Sequence, residues 1–239
     1  MSGAAAGAPL DPAKLQLLSF DVFGTLISVR DSSYDAFRRI LAEAGRPDVD
    51  VKAFWEVWEE ANIEGYWQPY RPYKEICRAS LAHAFAAFGV TGGDPGAIRH
   101  YFDAFESFEL YPDVVPTLER LAARYRLAVV SNIDDDLLAL TPLGRDFDLV
   151  CTAEKARGYK PDGTLFRYLL AQSGLATDEI LHSGQSQFTD MVGAKPLGLT
   201  VAWINRRGIT LSPKVPVPDY RFSDIASVAE LVLGPTTPA

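Results

Sequence analysis

The stretch Leu17-Leu18-Ser19-Phe20-Asp21-Val22-Phe23-Gly24-Thr25-Leu26 is an apolar run that ends on one carboxylate, followed by a glycine turn and a threonine. A run of this kind reads as a buried strand, and the carboxyl end of such a strand is where open α/β sheets place their ligands. A carboxylate is costly to leave idle there. Asp21 is therefore the candidate nucleophile. Two residues on, where a second acid would protonate a poor leaving group, stands Phe23, whose ring transfers no proton.

Working outward, short apolar runs recur over 15–20, 127–130, 149–151, 180–182 and 200–204, and helical patterns such as 114–125 and 163–173 lie between them. Alternation of strand with helix predicts a doubly wound α/β fold built on a parallel, helix-covered sheet. Between the first two strands the pattern changes: 34–44, 51–63, 73–88 and 95–108 all read as amphipathic helices, interrupted by a glycine-rich turn over 90–96. An all-helical block inserted directly after Asp21 would sit over the carboxyl edge of the sheet as a cap, excluding water and carrying specificity. The expected division is a disordered tail over 1–13, a core over 14–30 and 109–239, and a helical cap over 31–108. A proline-rich stretch after Gly208 leads into a final strand and helix over 220–233 and a frayed end.

Composition bounds the function. The chain has 239 residues, 48% hydrophobic and 23% charged, and a formal net charge of −8. An acidic chain without Lys/Arg runs argues against nucleic acid, which needs a basic face to displace counterions. Cys77 and Cys151 are far apart, which suggests neither a zinc site nor a disulfide framework and makes a reducing cytoplasm the default location. No segment approaches the roughly 20 apolar residues of a membrane span, and the first dozen residues lack the pattern of a signal peptide.

Four stations fall at or just beyond strand ends: Asp21 with Thr25, Ser131-Asn132, Lys160-Pro161, and Gly184-Gln185-Ser186 with Asp190. In a parallel sheet these ends share one edge, so the four converge. In this order the chain resembles the haloacid dehalogenase superfamily, whose motifs are Asp-x-x-x-Thr, a Ser/Thr after a strand, a Lys, and a final acidic loop. Phe-Asp-Val-Phe-Gly-Thr-Leu, Val-Val-Ser-Asn-Ile, Tyr-Lys-Pro-Asp and Trp-Ile-Asn-Arg are similar to the type II 2-haloacid dehalogenase branch rather than to the phosphatases. The resemblance implies a hydrolase acting on a small 2-substituted carboxylic acid. It also implies a homodimer, which the cap aromatics alone support.

The mechanism expected of such a site starts with Asp21 attacking a saturated carbon next to a carboxylate to form an aspartyl ester, which water then cleaves. Lys160 holds Asp21 ionised, Asp190 activates the water, and Thr25 and Ser186 orient the carboxylates. The resemblance assigns Ser131 and Asn132 to the substrate carboxylate and leaving group; capping of the following helix is their bland alternative. No cofactor is expected. A phosphatase, the alternative, would need magnesium and a second acid, but Phe23 removes that acid and Gln185 replaces one acidic position of the last loop. His182 reads as a packed residue rather than a base.

Two departures stand out. Haloacid dehalogenases carry a halide-receiving arginine in a Trp-Arg context on the first long cap helix, where this chain has Trp58-Glu59; Arg71 is the cation expected to reach the site instead. Phe166 replaces a tyrosine six residues after the motif lysine. An acidic Glu59 would repel a halide and suit a departing amine, chemistry found in enzymes similar to azetidine-2-carboxylate hydrolase. Of the aromatics Trp55, Trp58, Tyr66, Trp67, Tyr70 and Tyr73, most are expected to pack the cap, with Trp67 and Tyr70 facing the cleft.

Overall fold

A computed structural model describes residues 10–235. In chain order the elements are β1 (Leu17–Phe20), β2 (Ile27–Ser28), α1 (Arg30–Glu43), α2 (Val51–Gly65), α3 (Tyr73–Ala87), α4 (Arg99–Asp103), β3 (Glu109–Leu110), α5 (Val114–Ala122), β4 (Arg126–Ser131), α6 (Asp135–Ala139), β5 (Leu149–Thr152), α7 (Ala153–Ala156), α8 (Thr164–Ser173), β6 (Ile180–Gly184), α9 (Val192–Ala194), β7 (Thr200–Ile204), β8 (Tyr220–Phe222) and α10 (Ala226–Leu233). Six strands form one parallel sheet in the order β5-β4-β1-β6-β7-β8. The chain first runs from β1 through β4 to β5, then returns to the other side of β1 for β6, β7 and β8. That reversal makes the carboxyl ends of β1, β4 and β6 a topological switch point, where open sheets leave a crevice.

The sheet is buried on both faces, and its alternation can be read residue by residue. Leu18, Phe20, Leu127, Val129, Ala202 and Ile204 enter one core that continues into the inserted helices. Leu17, Ala128, Val130, Val201 and Trp203 enter a second core on the opposite face, under α8, with Leu165, Phe166 and Leu169.

The insertion is attached by a feature the sequence pattern does not reveal. β2 and β3 pair antiparallel, Ile27 opposite Leu110 and Ser28 opposite Glu109, so the strands entering and leaving the helical block form one ribbon. Tyr111 N–H extends it by donating to the Leu26 carbonyl (3.0 Å). The helix read over 95–108 is broken: Pro95–Ile98 and Ala104–Ser107 are tight 3-10 turns on either side of the five-residue α4. Asp50 caps α2 by accepting from the amides of Lys52 and Ala53 (2.9 Å each). α3 has no side-chain cap of its own, and the core supplies one: buried Asp134 accepts from the first amides of α3, Tyr73 (2.8 Å) and Lys74 (3.1 Å). The tail read over 1–13 lies largely outside the described residues; within them, Leu10 N–H donates to the Tyr220 hydroxyl (3.3 Å). Of the frayed end, 236–239 also lie outside them. Both cysteines are buried and free, and no described helix is long and apolar enough to cross a membrane.

Candidate active site

Asp21 leaves the end of β1 into the switch-point crevice, followed by a turn in which Gly24 takes φ +80°, a conformation that an L side chain resists. That turn brings Thr25 back so that its hydroxyl donates to Asp21 Oδ2 (2.7 Å) while accepting from the Gln185 amide (2.9 Å). Lys160, in the turn between α7 and α8, is fully buried. Its ammonium donates to Asp21 Oδ1 and to Asp190 Oδ1 (2.8 Å), and its own amide donates to Asn132 Oδ1 (2.9 Å). Asp190 sits in a turn of π-helix, Gln187–Met191, directly beyond β6. It accepts from the Ser186 amide (3.0 Å) and from His182 Nε2 (3.1 Å), whose other ring nitrogen pairs with the Ser19 hydroxyl. An ionised carboxylate can only accept, so His182 Nε2 carries a proton. The following segment passes so near Lys160 that a Cβ on Gly193 would lie 1.9 Å from the Lys160 carbonyl.

The four stations therefore converge, with two differences in detail. Ser186 orients Asp190 through its backbone N–H rather than its hydroxyl, and Ser131 Oγ is fully buried with no hydrogen-bond partner. Ser131, Asn132, Asp21, Phe23, Lys160 and Ser186 line a cavity of about 180 Å³ whose far wall is the inserted helical block. One stripe of α2, running through Trp55, Trp58, Glu59, Asn62 and Ile63, faces it, continued by Tyr66. Phe23 seals the seam, its ring edge-on to Phe105 (5.4 Å) and Phe108 (6.3 Å).

A sequence profile of haloacid dehalogenase-like hydrolases matches residues 15–198. The chain belongs to that family. It is 24% identical over 221 residues to (S)-2-haloacid dehalogenase 4A of Burkholderia cepacia, covering 88% of this chain and 89% of that one. It is 28% identical over 188 residues to a phosphoserine phosphatase of Thermus thermophilus, covering 74% and 72%. The L-2-haloacid dehalogenase of Xanthobacter autotrophicus shares its fold with a TM-score of 0.76 at 24% identity, over 92% of this chain and 99% of that structure.

In this haloacid dehalogenase-like hydrolase the expected cleft residues are corrected in three places. Trp67 is 53% exposed and Arg71 is exposed on a separate shallow hollow with Glu64, Gln68 and His83. Arg71 is held there because its carbonyl accepts from the Tyr159 hydroxyl (2.7 Å). Tyr70 stacks on Tyr159 (5.8 Å) under the Arg157 guanidinium (4.1 Å), away from the cavity. Trp55, Trp58, Tyr66 and Tyr73 are the aromatics that line it instead, with Tyr101 and Tyr111. Besides Lys160, the cations on its wall are Arg30, at the start of α1, and Arg207, after β7. Arg30 carries no motif signal, whereas Arg207 directly follows the Trp-Ile-Asn-Arg stretch. Arg206, which does belong to a motif, positions the site from behind: its guanidinium donates to the Thr25 carbonyl (2.8 Å) and pairs with Asp113 (2.9 Å). Trp203 similarly donates to the Gln185 carbonyl (2.9 Å), and Phe166, fully buried, sets its ring edge-on to His182 (4.8 Å).

The electrostatics follow from one buried cation between two buried acids. Burial opposes ionisation of Asp190, but Lys160 and His182 outweigh it and hold its carboxyl down at about 2. At Asp21 burial prevails over Lys160 and the neighbouring Asp190 charge adds to it, so its carboxyl titrates above the usual range. Burial pulls the Lys160 ammonium down, and the two carboxylates more than restore it. Both acids give an oxygen to Lys160, and the described residues gather no group of three or more acid, histidine or cysteine side chains that could hold a metal.

Proposed function

We propose that this chain is a hydrolase that displaces a substituent from the carbon next to a carboxylate through an ester on Asp21, with a 2-haloacid as the first substrate class. The observation that carries the reading is the Asp21–Lys160–Asp190 cluster on one side of a small cavity, with a phenyl ring at the position where a helper acid for phosphate chemistry would stand. Its relatives that are named for 2-haloacids support the halide. Lys160 is taken up by Asp21 and Asp190, but the cavity wall also carries Arg30 and Arg207, cations with which a substrate carboxylate can pair.

In this reading Lys160 pulls Asp21 toward the ionised form that attacks, against the burial that raises it, the C–X electron pair leaves with X, and the new ester is opened at the Asp21 carbonyl carbon by a water that gives its proton to Asp190. Ser131 Oγ, buried without a partner, is a ready donor for the substrate carboxylate. The test is incubation with 2-chloropropionate in oxygen-18 water. Free chloride should appear, and repeated turnover should place label in the Asp21 side chain. Absence of chloride from every 2-haloacid tried would end the halide assignment. Glu59 on the cavity wall favours a second reading, C–N cleavage of a cyclic imino acid such as azetidine-2-carboxylate, which the same labelling with that reactant in place of 2-chloropropionate distinguishes by its amine product.

A further inference from the structure

Glu59 faces the same cavity as Asp21, but from α2. Among the described residues its carboxyl makes no hydrogen bond or ion pair. The groups that feel its charge are Arg207 after β7, Arg30 on α1, Glu56 and Glu60 on its own helix, and the hydroxyls of Tyr66 and Tyr101 across the aromatic wall. Within the cavity Asp21 and Lys160 complete the set. Burial pushes the Glu59 carboxyl up to about 7, against the pull of Arg207 and Arg30, so near neutrality much of it keeps its proton. Displacement at saturated carbon sends the departing atom away from the nucleophile. Asp21 attacks from the sheet side, and the departing atom therefore moves toward the helical block, where Glu59 stands.

We propose that Glu59 is the leaving-group acid of this site, giving its proton to the atom displaced from the α-carbon and so favouring groups that leave as bases, fluoride or an amine, over bromide and chloride. This rests on the aspartyl-ester reading above. A lone pair of Asp21 forms the O–C bond, the C–X pair departs with X, and X takes the Glu59 proton to leave as H–X: hydrogen fluoride, or the free amine where the ring nitrogen enters unprotonated. Glu59, now a carboxylate, regains a proton from water at the cavity mouth. A weakly basic bromide has no use for that proton, and an ionised Glu59 repels it.

The experiment compares the full-length protein with Glu59→Gln and Glu59→Asp on 2-fluoropropionate, 2-bromopropionate and azetidine-2-carboxylate, following halide release and amine formation between about pH 5.5 and 8.5. In the wild type, kcat/KM for fluoride relative to bromide should fall about tenfold per pH unit above the Glu59 titration, whereas for the amine the rising fraction of unprotonated ring nitrogen offsets that fall. Glu59→Gln should lose on the order of 100-fold in fluoride or amine displacement near pH 6.5, yet displace bromide faster than the wild type near pH 8.5. Glu59→Asp should recover the pH-dependent ratio. A merely structural role predicts that all rates fall together, and that result overturns the proposal. Bromide release with a ratio that Glu59→Gln does not change, or with neither basic group displaced, removes the Glu59 assignment and spares the ester. No product from any of the three reactants removes both.

Discussion

Lys160 is the residue on which the site's geometry turns, because one fully buried ammonium holds two buried carboxylates in place. Removing it strands like charges against each other, and breaking a buried pair of this type costs about 3–5 kcal/mol. Lys160→Met should therefore unfold at markedly lower temperature near pH 7, with part of the loss recovered in acid as a carboxyl protonates; a melting temperature equal to the wild type would contradict the described ion pairs. Asp21→Asn is the opposite case. The amide keeps oxygen and size while one charge of the crowded cluster disappears, so hydrolysis should vanish with stability equal to or above the wild type, read by thermal unfolding beside a halide assay. Asp21, Thr25, Lys160 and Asp190 are legible in the sequence because each follows a strand or lies at a motif spacing that the sheet converts into proximity. Trp67, Tyr70 and Arg71 are not, because a break between helices gives no hint of which way its side chains turn. The Tyr159 hydroxyl that fixes Arg71 lies 88 residues away.

Among the elements, the strands of the core are the easiest to anticipate, since apolar runs buried on both faces contrast sharply with the amphipathic helices around them. The β2–β3 ribbon is invisible for a physical reason: two residues are too few to show a period of two, and its pairing spans the whole insertion. The helix expected over 95–108 fails because Pro95 starts a tight turn and the ring-rich segment after α4 is pulled in to pack Phe105 and Phe108 against Phe23. The α9 segment also packs closely against the Lys160 turn. Gly193 touches the Lys160 carbonyl so nearly that any side chain must separate the two. Gly193→Ala should lower stability by about 1–3 kcal/mol through overpacking and cost more activity than stability, since it shifts Lys160 away from Asp21 and Asp190. A variant with wild-type turnover would show that the two segments part without disturbing the cluster.

At the level of the whole molecule, two bodies joined by one ribbon enclose ionisable groups from both, so stability depends on pH with competing signs. Asp190, held down at about 2, contributes stability that is present above the ordinary carboxylate range and lost as acid protonates it. Glu59 acts the other way. Its folded-state carboxyl titrates at about 7, above the ordinary value of 4.5, so the folded chain binds the proton more tightly than the unfolded one. That contribution is full below about pH 4.5 and fades as the pH rises through 7, where ionised Glu59 burdens the cavity by up to about 3 kcal/mol. Glutamine resembles the protonated acid in shape and charge at every pH. Glu59→Gln should therefore match the wild type in unfolding free energy near pH 5 and exceed it near pH 8, the gap opening between those values in urea titrations. A gap that is constant with pH would mean that Arg30 and Arg207 cancel the burial penalty on the ionised form, and one that favours the wild type at pH 8 that they exceed it.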